Sequence, residues 1–173
     1  EFRRVLFRSL KFSLDGTKLI NVNNSINVEL FDFDLTTGKV SNPKEVIYNN
    51  YGSETFMSNY GVEFSPSGKI AYLTKGIFFD SNEVFQYDLT AADIPATETR
   101  IYLGTGYRDN FGALQIAPDG KIYGCHAGTT RLFSINNPDV LGVGCNFNFN
   151  AITLNDDQKC IFGLPSFIQS YFI

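Results

Sequence analysis

Three stretches of similar sequence decide the fold of this chain: LKFSLDG at residues 10–16, VEFSPSG at 62–68 and LQIAPDG at 114–120. Each begins with alternating apolar residues and ends in a turn closed by glycine, and that glycine recurs after 52 residues both times. Asp-Gly and Ser-Gly favour tight hairpins because glycine accepts a positive φ without a Cβ clash. Repeats of this length, built from strands and turns, are typical of β-propeller blades.

The residues after each turn predict three further strands. The second strand is short and apolar, the third alternates apolar with polar residues, and the fourth is a short outer strand. In the first repeat these strands cover residues 18–22, 31–35 and 45–48. We therefore predict an all-β chain of about three four-stranded antiparallel blades. Propellers typically close with about four to eight blades, so the expected structure is a partial β-propeller, an open arc of a larger ring.

The repeats also divide the chain. We assign the blades to residues 10–51, 52–104 and 105–159 of a propeller region that covers 10–173, and a terminal strand segment to 160–173. The first nine residues, EFRRVLFRS, match the in-frame translation of a common sequencing adapter. We interpret residues 1–9 as a scar that is not native and leave them out of the fold argument.

The composition fits a packed domain and argues against a nucleic-acid groove and a membrane-spanning helix. The chain is 43% hydrophobic and 15% aromatic, which is ample for a core. Its formal net charge is −4 with scattered Lys and Arg, whereas a nucleic-acid groove needs clustered cations. No apolar run approaches the roughly 18 residues of a membrane helix, so we predict no membrane span.

The three cysteines allow at most one internal disulfide. Cys145 and Cys160 flank an Asn-rich stretch and form the candidate pair. Such a bridge would contribute about 3 kcal/mol in the chain-entropy model and would imply an oxidising compartment. Free thiols are the alternative. Cys125 lies in a strand-like segment, where a small buried apolar side chain is expected.

The sequence shows no catalytic motif and predicts no catalytic or cofactor-binding residue. His126 is the only histidine, so a tetrahedral metal site has no second imidazole, and we interpret it as a strand-end or loop residue. Asp32 and Asp34 point to one face of a strand and could bind calcium there. An exposed strand face has the same pattern, so we expect no resident cofactor, with calcium as the weaker alternative.

Corresponding positions of the inner strands carry Lys11, Glu63 and Gln115. A propeller hydrolase collects carboxylates and amides around a metal in its central channel. One cation, one carboxylate and one amide make a poor metal cage.

Aromatic residues near the start of the second and third repeats are candidate ligand contacts. Tyr60 and Phe111 occur in the matching strings Asn-Tyr-Gly and Asn-Phe-Gly, and Tyr107 lies in the preceding loop. Their rings could stack on a sugar, or they could pack between blades.

The third repeat resembles a known family. Asn-Asn-Pro at 136–138, Gly-x-Gly-Cys at 142–145 and Gly-Leu-Pro-x-Phe-x-Gln-Ser-x-Phe at 163–172 follow the order seen in the propeller region of large secreted bacterial proteins that use type IX secretion. Many of these proteins carry a gliding-motility-associated C-terminal sorting domain. The resemblance covers roughly residues 10–173 and implies an extracellular or cell-surface location, further domains downstream and no catalytic residues to carry over.

Together these observations predict a non-catalytic propeller region, with WD40-like or YVTN-like repeats, in a secreted or surface protein. It would act in adhesion or would bind an extracellular carbohydrate or protein through its blade loops. A fragment of a lactonase-like, metal-dependent hydrolase is the first alternative, and a structural spacer is the second.

Overall fold

The computed structural model describes residues 7–23, 27–48, 57–77, 82–104 and 110–164. Within these residues, strands form three four-stranded antiparallel sheets, each a simple meander in chain order. Blade 1 contains β1 (Phe7–Phe12), β2 (Lys18–Asn23), β3 (Asn27–Phe33) and β4 (Val40–Tyr48). Blade 2 contains β5 (Met57–Phe64), β6 (Ile70–Ile77), β7 (Asn82–Asp88) and β8 (Thr99–Gly104). Blade 3 contains β9 (Asn110–Ile116), β10 (Ile122–Ala127), β11 (Arg131–Ile135) and β12 (Phe147–Thr153).

This architecture confirms the predicted all-β fold with three four-stranded antiparallel blades. Two short 3₁₀ helices, Pro95–Thr97 and Gly142–Cys145, lie between the third and fourth strands of blades 2 and 3. Strand β1 begins at Phe7, so residues 7–9 of the adapter-like stretch belong to it, with Ser9 opposite Val22. Sheet pairing uses backbone groups, so residues 7–9 can extend the strand without specific side chains.

The glycine turns have the same backbone geometry in all three blades. Gly16, Gly68 and Gly120 have φ values of +70°, +69° and +75°, the left-handed region that favours glycine. In blade 1, the Ser13 carbonyl accepts a hydrogen bond from the Gly16 N–H at 2.9 Å. These turns join the two innermost strands of each blade. We call this side of the sheets the hairpin end.

The blades pack face to face through two apolar cores. The first core joins blade 1 to blade 2; its members include Ile20, Val22, Leu30, Val62, Phe64, Leu73 and Tyr87. The second joins blade 2 to blade 3; its members include Ile70, Tyr72, Val84, Leu114, Ile116, Phe133 and Cys145. Each blade is therefore one layer in a series of packed sheets. Burial of these apolar side chains is the main contribution to the stability of the folded chain.

Two glycines of the inner strands allow a very close approach of neighbouring backbone. A Cβ atom on Gly61 would collide with the carbonyl oxygen of Gly112, and one on Gly112 would collide with the carbonyl oxygen of Phe162. Glycine is required at both positions because any side chain would push the neighbouring backbone away.

Candidate functional site

The corresponding inner-strand residues Lys11, Glu63 and Gln115 meet in one polar cluster. They come from β1, β5 and β9, the innermost strands of the three blades. The Lys11 Nζ donates to Glu63 Oε2 at 3.0 Å and to Gln115 Oε1 at 2.7 Å. Glu63 and Gln115 follow Lys11 by 52 and 104 residues, so the repeat brings one residue of each blade to the same ammonium group.

Glu63 is the buried centre of this cluster, with 0% of its surface exposed. Its Oε1 accepts the Phe64 N–H at 3.0 Å, and its Oε2 accepts the Ile116 N–H at 3.1 Å as well as the Lys11 proton. A buried carboxylate needs a countercharge and hydrogen bonds, and Glu63 has both. The side chain therefore acts as a clamp between inner strands of blades 1, 2 and 3.

The cluster is poorly suited to metal catalysis. A divalent cation would have to displace Lys11 and two backbone donors from the carboxylate of Glu63. Among the residues that the structure describes, no three His, Cys, Asp or Glu side chains gather in a way that could hold a metal ion. The arrangement joins the inner strands of the three blades.

Asp32 and Asp34, the candidate calcium ligands, are engaged in separate local contacts. Asp32 pairs with the ammonium of Lys18 and accepts a hydrogen bond from Asn42 at 2.7 Å. Asp34 accepts the backbone N–H of Thr36 at 2.8 Å and closes the turn after β3. These donors lower the pKa of both carboxyl groups. The largest cause is the hydrogen bond from Lys18 for Asp32 and that from the Thr36 backbone for Asp34. The two carboxylates therefore serve an ion pair and a turn.

His126 lies near the end of β10, buried in the aromatic core of blade 3. Its ring is 5.1 Å from that of Phe149 and 5.7 Å from that of Phe111. This position agrees with the strand-end interpretation, with aromatic packing around the imidazole.

The structure does not bring the predicted disulfide pair together. All three cysteines are buried free thiols. Cys145 lies in the core between blades 2 and 3 beside Tyr72, whereas the neighbour of Cys160 is Cys125. The local backbone separates the two thiols. The 3₁₀ helix Gly142–Cys145 turns Cys145 toward blade 2, while residues 154–160 run back to β10.

The predicted aromatic ligand contacts have different environments. Phe111 is only 3% exposed, and its ring packs on Phe133 at 5.0 Å, so the packing alternative describes it and the ligand alternative does not. Tyr107 lies outside the described residues. Tyr60 is half-buried, and its ring lies 5.3 Å from the ring of Phe162, which is 40% exposed.

Phe162 is a residue that the sequence reasoning missed, although a signal for it exists. Tyr60-Gly61, Phe111-Gly112 and Phe162-Gly163 recur at intervals of 51 residues. The Phe162 carbonyl accepts the Ala113 N–H at 2.8 Å, so this dipeptide lies beside β9. The spacing therefore marks aromatic residues on successive inner positions around the ring, of which Tyr60 and Phe162 retain exposed surface.

A small cleft opens between blades 1 and 2 at the hairpin end. Its volume is about 230 Å³, and its lining includes Asp15, Lys18, Lys44 and Lys69. Ligand pockets commonly occupy about 300–1,000 Å³, and Lys18 is already paired with Asp32. The aromatic pair is therefore the stronger candidate for ligand contact.

A buried tyrosine connects blade 2 to the loop after β11. The Tyr72 hydroxyl donates to the Pro138 carbonyl at 2.9 Å and accepts from Gln86 at 2.6 Å. Burial raises the pKa of Tyr72 well above its usual 10.0, and nearby Cys145 raises it further. The Gln86 Oε1 also accepts the Gly142 N–H at 2.8 Å. This network holds blade 3 in register with blade 2.

Comparison with known proteins identifies the fold and no family. No family model matches the chain, and no curated protein matches it. The described residues contain no helix that is long and apolar enough to cross a membrane.

Solved structures do resemble it. A protein from Lactobacillus plantarum matches 86% of this chain at 16% identity with a TM-score of 0.50. TolB from Acinetobacter baumannii matches 80% of it at 18% identity, also with a TM-score of 0.50. The chain spans 42% and 32% of the length of these two proteins. At such identities the similarity shows the fold alone, and that fold is a partial β-propeller.

Proposed function

We propose that this chain is a non-catalytic propeller region of a secreted or cell-surface bacterial protein and that it binds an extracellular ligand. Carbohydrate is the ligand class that the exposed chemistry favours, and adhesion is the corresponding role. The location rests on the resemblance of residues 136–138, 142–145 and 163–172 to propeller regions exported by type IX secretion.

The observation that carries this proposal is the aromatic pair Tyr60–Phe162. The two rings are 5.3 Å apart with an interplanar angle of 37°, and 40% of Phe162 is exposed. Aromatic rings offer a broad apolar face with little conformational freedom to lose, which suits them to stacking on a sugar ring. Tyr60 lies on β5 and Phe162 lies in the segment beside β9, so the pair joins neighbouring parts of blades 2 and 3.

The inner-strand cluster argues against the lactonase-like alternative. A propeller hydrolase requires several ligands around a metal, whereas Glu63 is already held by Lys11 and two backbone N–H groups. The spacer alternative requires no exposed recognition surface at all, so binding measurements separate it from our proposal.

The test is binding of the 173-residue chain to a panel of immobilised polysaccharides. We expect Phe162→Ala and Tyr60→Ala to weaken a detected interaction by about tenfold, in line with about 1–2 kcal/mol for one aromatic contact. Phe12→Ala is the matched control because Phe12 is also 40% exposed but lies on blade 1, away from the pair. Equal losses in all three variants, or binding only to proteins, would contradict carbohydrate recognition by this pair.

A second assay addresses catalysis. The chain is incubated with a sugar lactone and with calcium, and release of acid is followed at constant pH. We expect no turnover above the background rate. Calcium-dependent turnover that Glu63→Gln abolishes would overturn the non-catalytic proposal and favour the hydrolase.

A further inference from the structure

Backbone hydrogen bonds hold the segment that contains Cys160 beside the end of the strand that carries Cys125. Cys125 lies in β10, and Cys160 lies in the segment that returns to blade 3 after β12. The Gly128 N–H donates to the Cys160 carbonyl at 2.7 Å, and the Cys160 N–H donates to the Thr129 carbonyl at 2.9 Å. This reciprocal pair fixes the backbone of Cys160 beside the turn that follows β10.

The side chain of Cys125 reaches the same segment. Its Sγ donates a hydrogen bond to the Ile161 carbonyl at 2.8 Å, so the thiol points at the residue after Cys160. Burial raises the pKa of the Cys125 thiol, and the neighbouring Cys160 thiol raises it further. Both cysteines are buried, and Cys145 is absent from this contact because it packs beside Tyr72.

We propose that Cys125 and Cys160 form an intramolecular disulfide under oxidising conditions, which fastens residues 154–164 to the sheet of blade 3. This proposal stands independently of ligand binding. The bond would close a loop that contains β11, the 3₁₀ helix and β12. It would also hold Phe162, two residues beyond Cys160, against Gly112 and Ala113.

The reaction requires a disulfide oxidant such as glutathione disulfide. A thiolate of one protein cysteine attacks that disulfide and releases one glutathione thiolate. The second protein cysteine loses its proton, attacks the mixed disulfide and releases the other glutathione. Two protein thiols are oxidised to one disulfide while one small disulfide is reduced to two thiols.

The sequence allows a direct test because trypsin separates the three cysteines. Cleavage after Lys121, Arg131 and Lys159 yields peptides 122–131, 132–159 and 160–173, each with one cysteine. The chain is oxidised with glutathione disulfide, its remaining thiols are alkylated, and the digest is analysed by mass spectrometry without reduction. We expect peptide 122–131 joined to 160–173, with 132–159 alkylated. A link between 132–159 and 160–173, or no link after oxidation, would overturn the proposal.

Variants provide the second readout. Oxidised Cys145→Ser should retain the link and melt at least about 5 °C above its reduced form, because the bond restricts the unfolded chain. Cys125→Ser and Cys160→Ser should show the same melting temperature with and without oxidant. A shift that survives in Cys125→Ser and disappears in Cys145→Ser would assign the bond to Cys145 and Cys160 and contradict our assignment.

Discussion

Blades 1 and 2 carry matching apolar side chains at corresponding positions of β1 and β5, but only those of blade 2 are buried. Leu10 and Phe12 are 49% and 40% exposed, whereas Val62 and Phe64 are 0% and 1% exposed. In blade 2 these side chains pack on Ile20, Val22 and Leu30 of blade 1. The repeat pattern therefore places apolar side chains on the face that packs against a neighbouring blade. Whether they are buried depends on the presence of that neighbour and not on the residue type.

The largest effect is expected where the comparison is sharpest. Phe64→Ala should lower the free energy of unfolding by about 3–5 kcal/mol because it leaves a cavity between two blades. Phe12→Ala should lower it by less than about 1.5 kcal/mol because its side chain is partly exposed to water, with its ring centroid 5.0 Å from that of Phe33. Urea denaturation followed by circular dichroism measures both. Equal losses would show that blade 1 packs as tightly as blade 2.

The inner-strand cluster extends the comparison to charge. Lys11→Met should destabilise the chain by about 3 kcal/mol because the carboxylate of Glu63 stays buried without its countercharge. Adding Glu63→Gln should recover part of that loss, which a double-mutant cycle from urea denaturation would measure. Lys121→Met is the control, since its ion pair with Asp119 is exposed and should contribute less than about 1 kcal/mol. If Lys11→Met lowers the stability no more than Lys121→Met does, Glu63 does not act as a clamp between the blades.

Tyr72 on β6 pairs with Glu63 in the sheet register, and Tyr123 on β10 pairs with the corresponding residue Gln115; the two tyrosines differ in burial. Tyr72→Phe should cost about 1–2 kcal/mol because the Pro138 carbonyl and Gln86 lose a buried partner. Tyr123→Phe removes an exposed hydrogen bond to Asp119 and should cost about 0.5 kcal/mol or less. Thermal unfolding of the two variants at neutral pH provides the measurement. A costlier Tyr123→Phe would reverse the ranking.

The stability at alkaline pH provides a second test of the burial of Tyr72. The folded-state pKa of Tyr72 is raised, so its stabilising contribution is fully present below the unfolded-state value of 10.0 and is lost as the pH rises through the folded-state pKa. The wild type should therefore lose more stability than Tyr72→Phe between pH 9 and about 11.5. Parallel loss in both proteins, measured by urea denaturation across this range, would contradict the burial of a neutral phenol.

The smallest effect concerns the hairpin turns. Asp15 accepts hydrogen bonds from Ser13 and Thr17, and these lower its pKa below 3.8. Its contribution is present above the unfolded-state pKa and is lost as the pH falls through the lower folded-state value. The stability difference between the wild type and Asp15→Ala should thus be a few tenths of a kcal/mol at pH 7 and shrink toward pH 2. A difference that grows on acidification would contradict it.

Repeat spacing predicted the strands, the turns and the blade count because each depends on local patterns: alternation, glycine at positive φ and a fixed interval. The repeat showed that Lys11, Glu63 and Gln115 occupy corresponding positions of the inner strands. It did not predict their hydrogen bonds, because whether the side chains reach one another depends on how tightly the blades pack. The Cys145–Cys160 pairing failed because nearness in sequence says nothing about the direction in which the 3₁₀ helix Gly142–Cys145 points its thiol. Phe111 was predicted as a ligand contact, but its side chain is buried in the core. The motif Asn-Phe-Gly serves the close backbone approach at Gly112 and places the preceding aromatic ring inside.

The central cluster also restricts how such an array of blades can evolve. Successive repeats place an ammonium, a carboxylate and an amide at one position, so the three units are not interchangeable. A tandem copy of blade 2 would set two Glu63 carboxylates side by side in a buried site, where like charges repel strongly. The residue at this one position therefore fixes the order of the three blades. Duplication of a blade would destabilise the fold until the copied residue at this position is substituted.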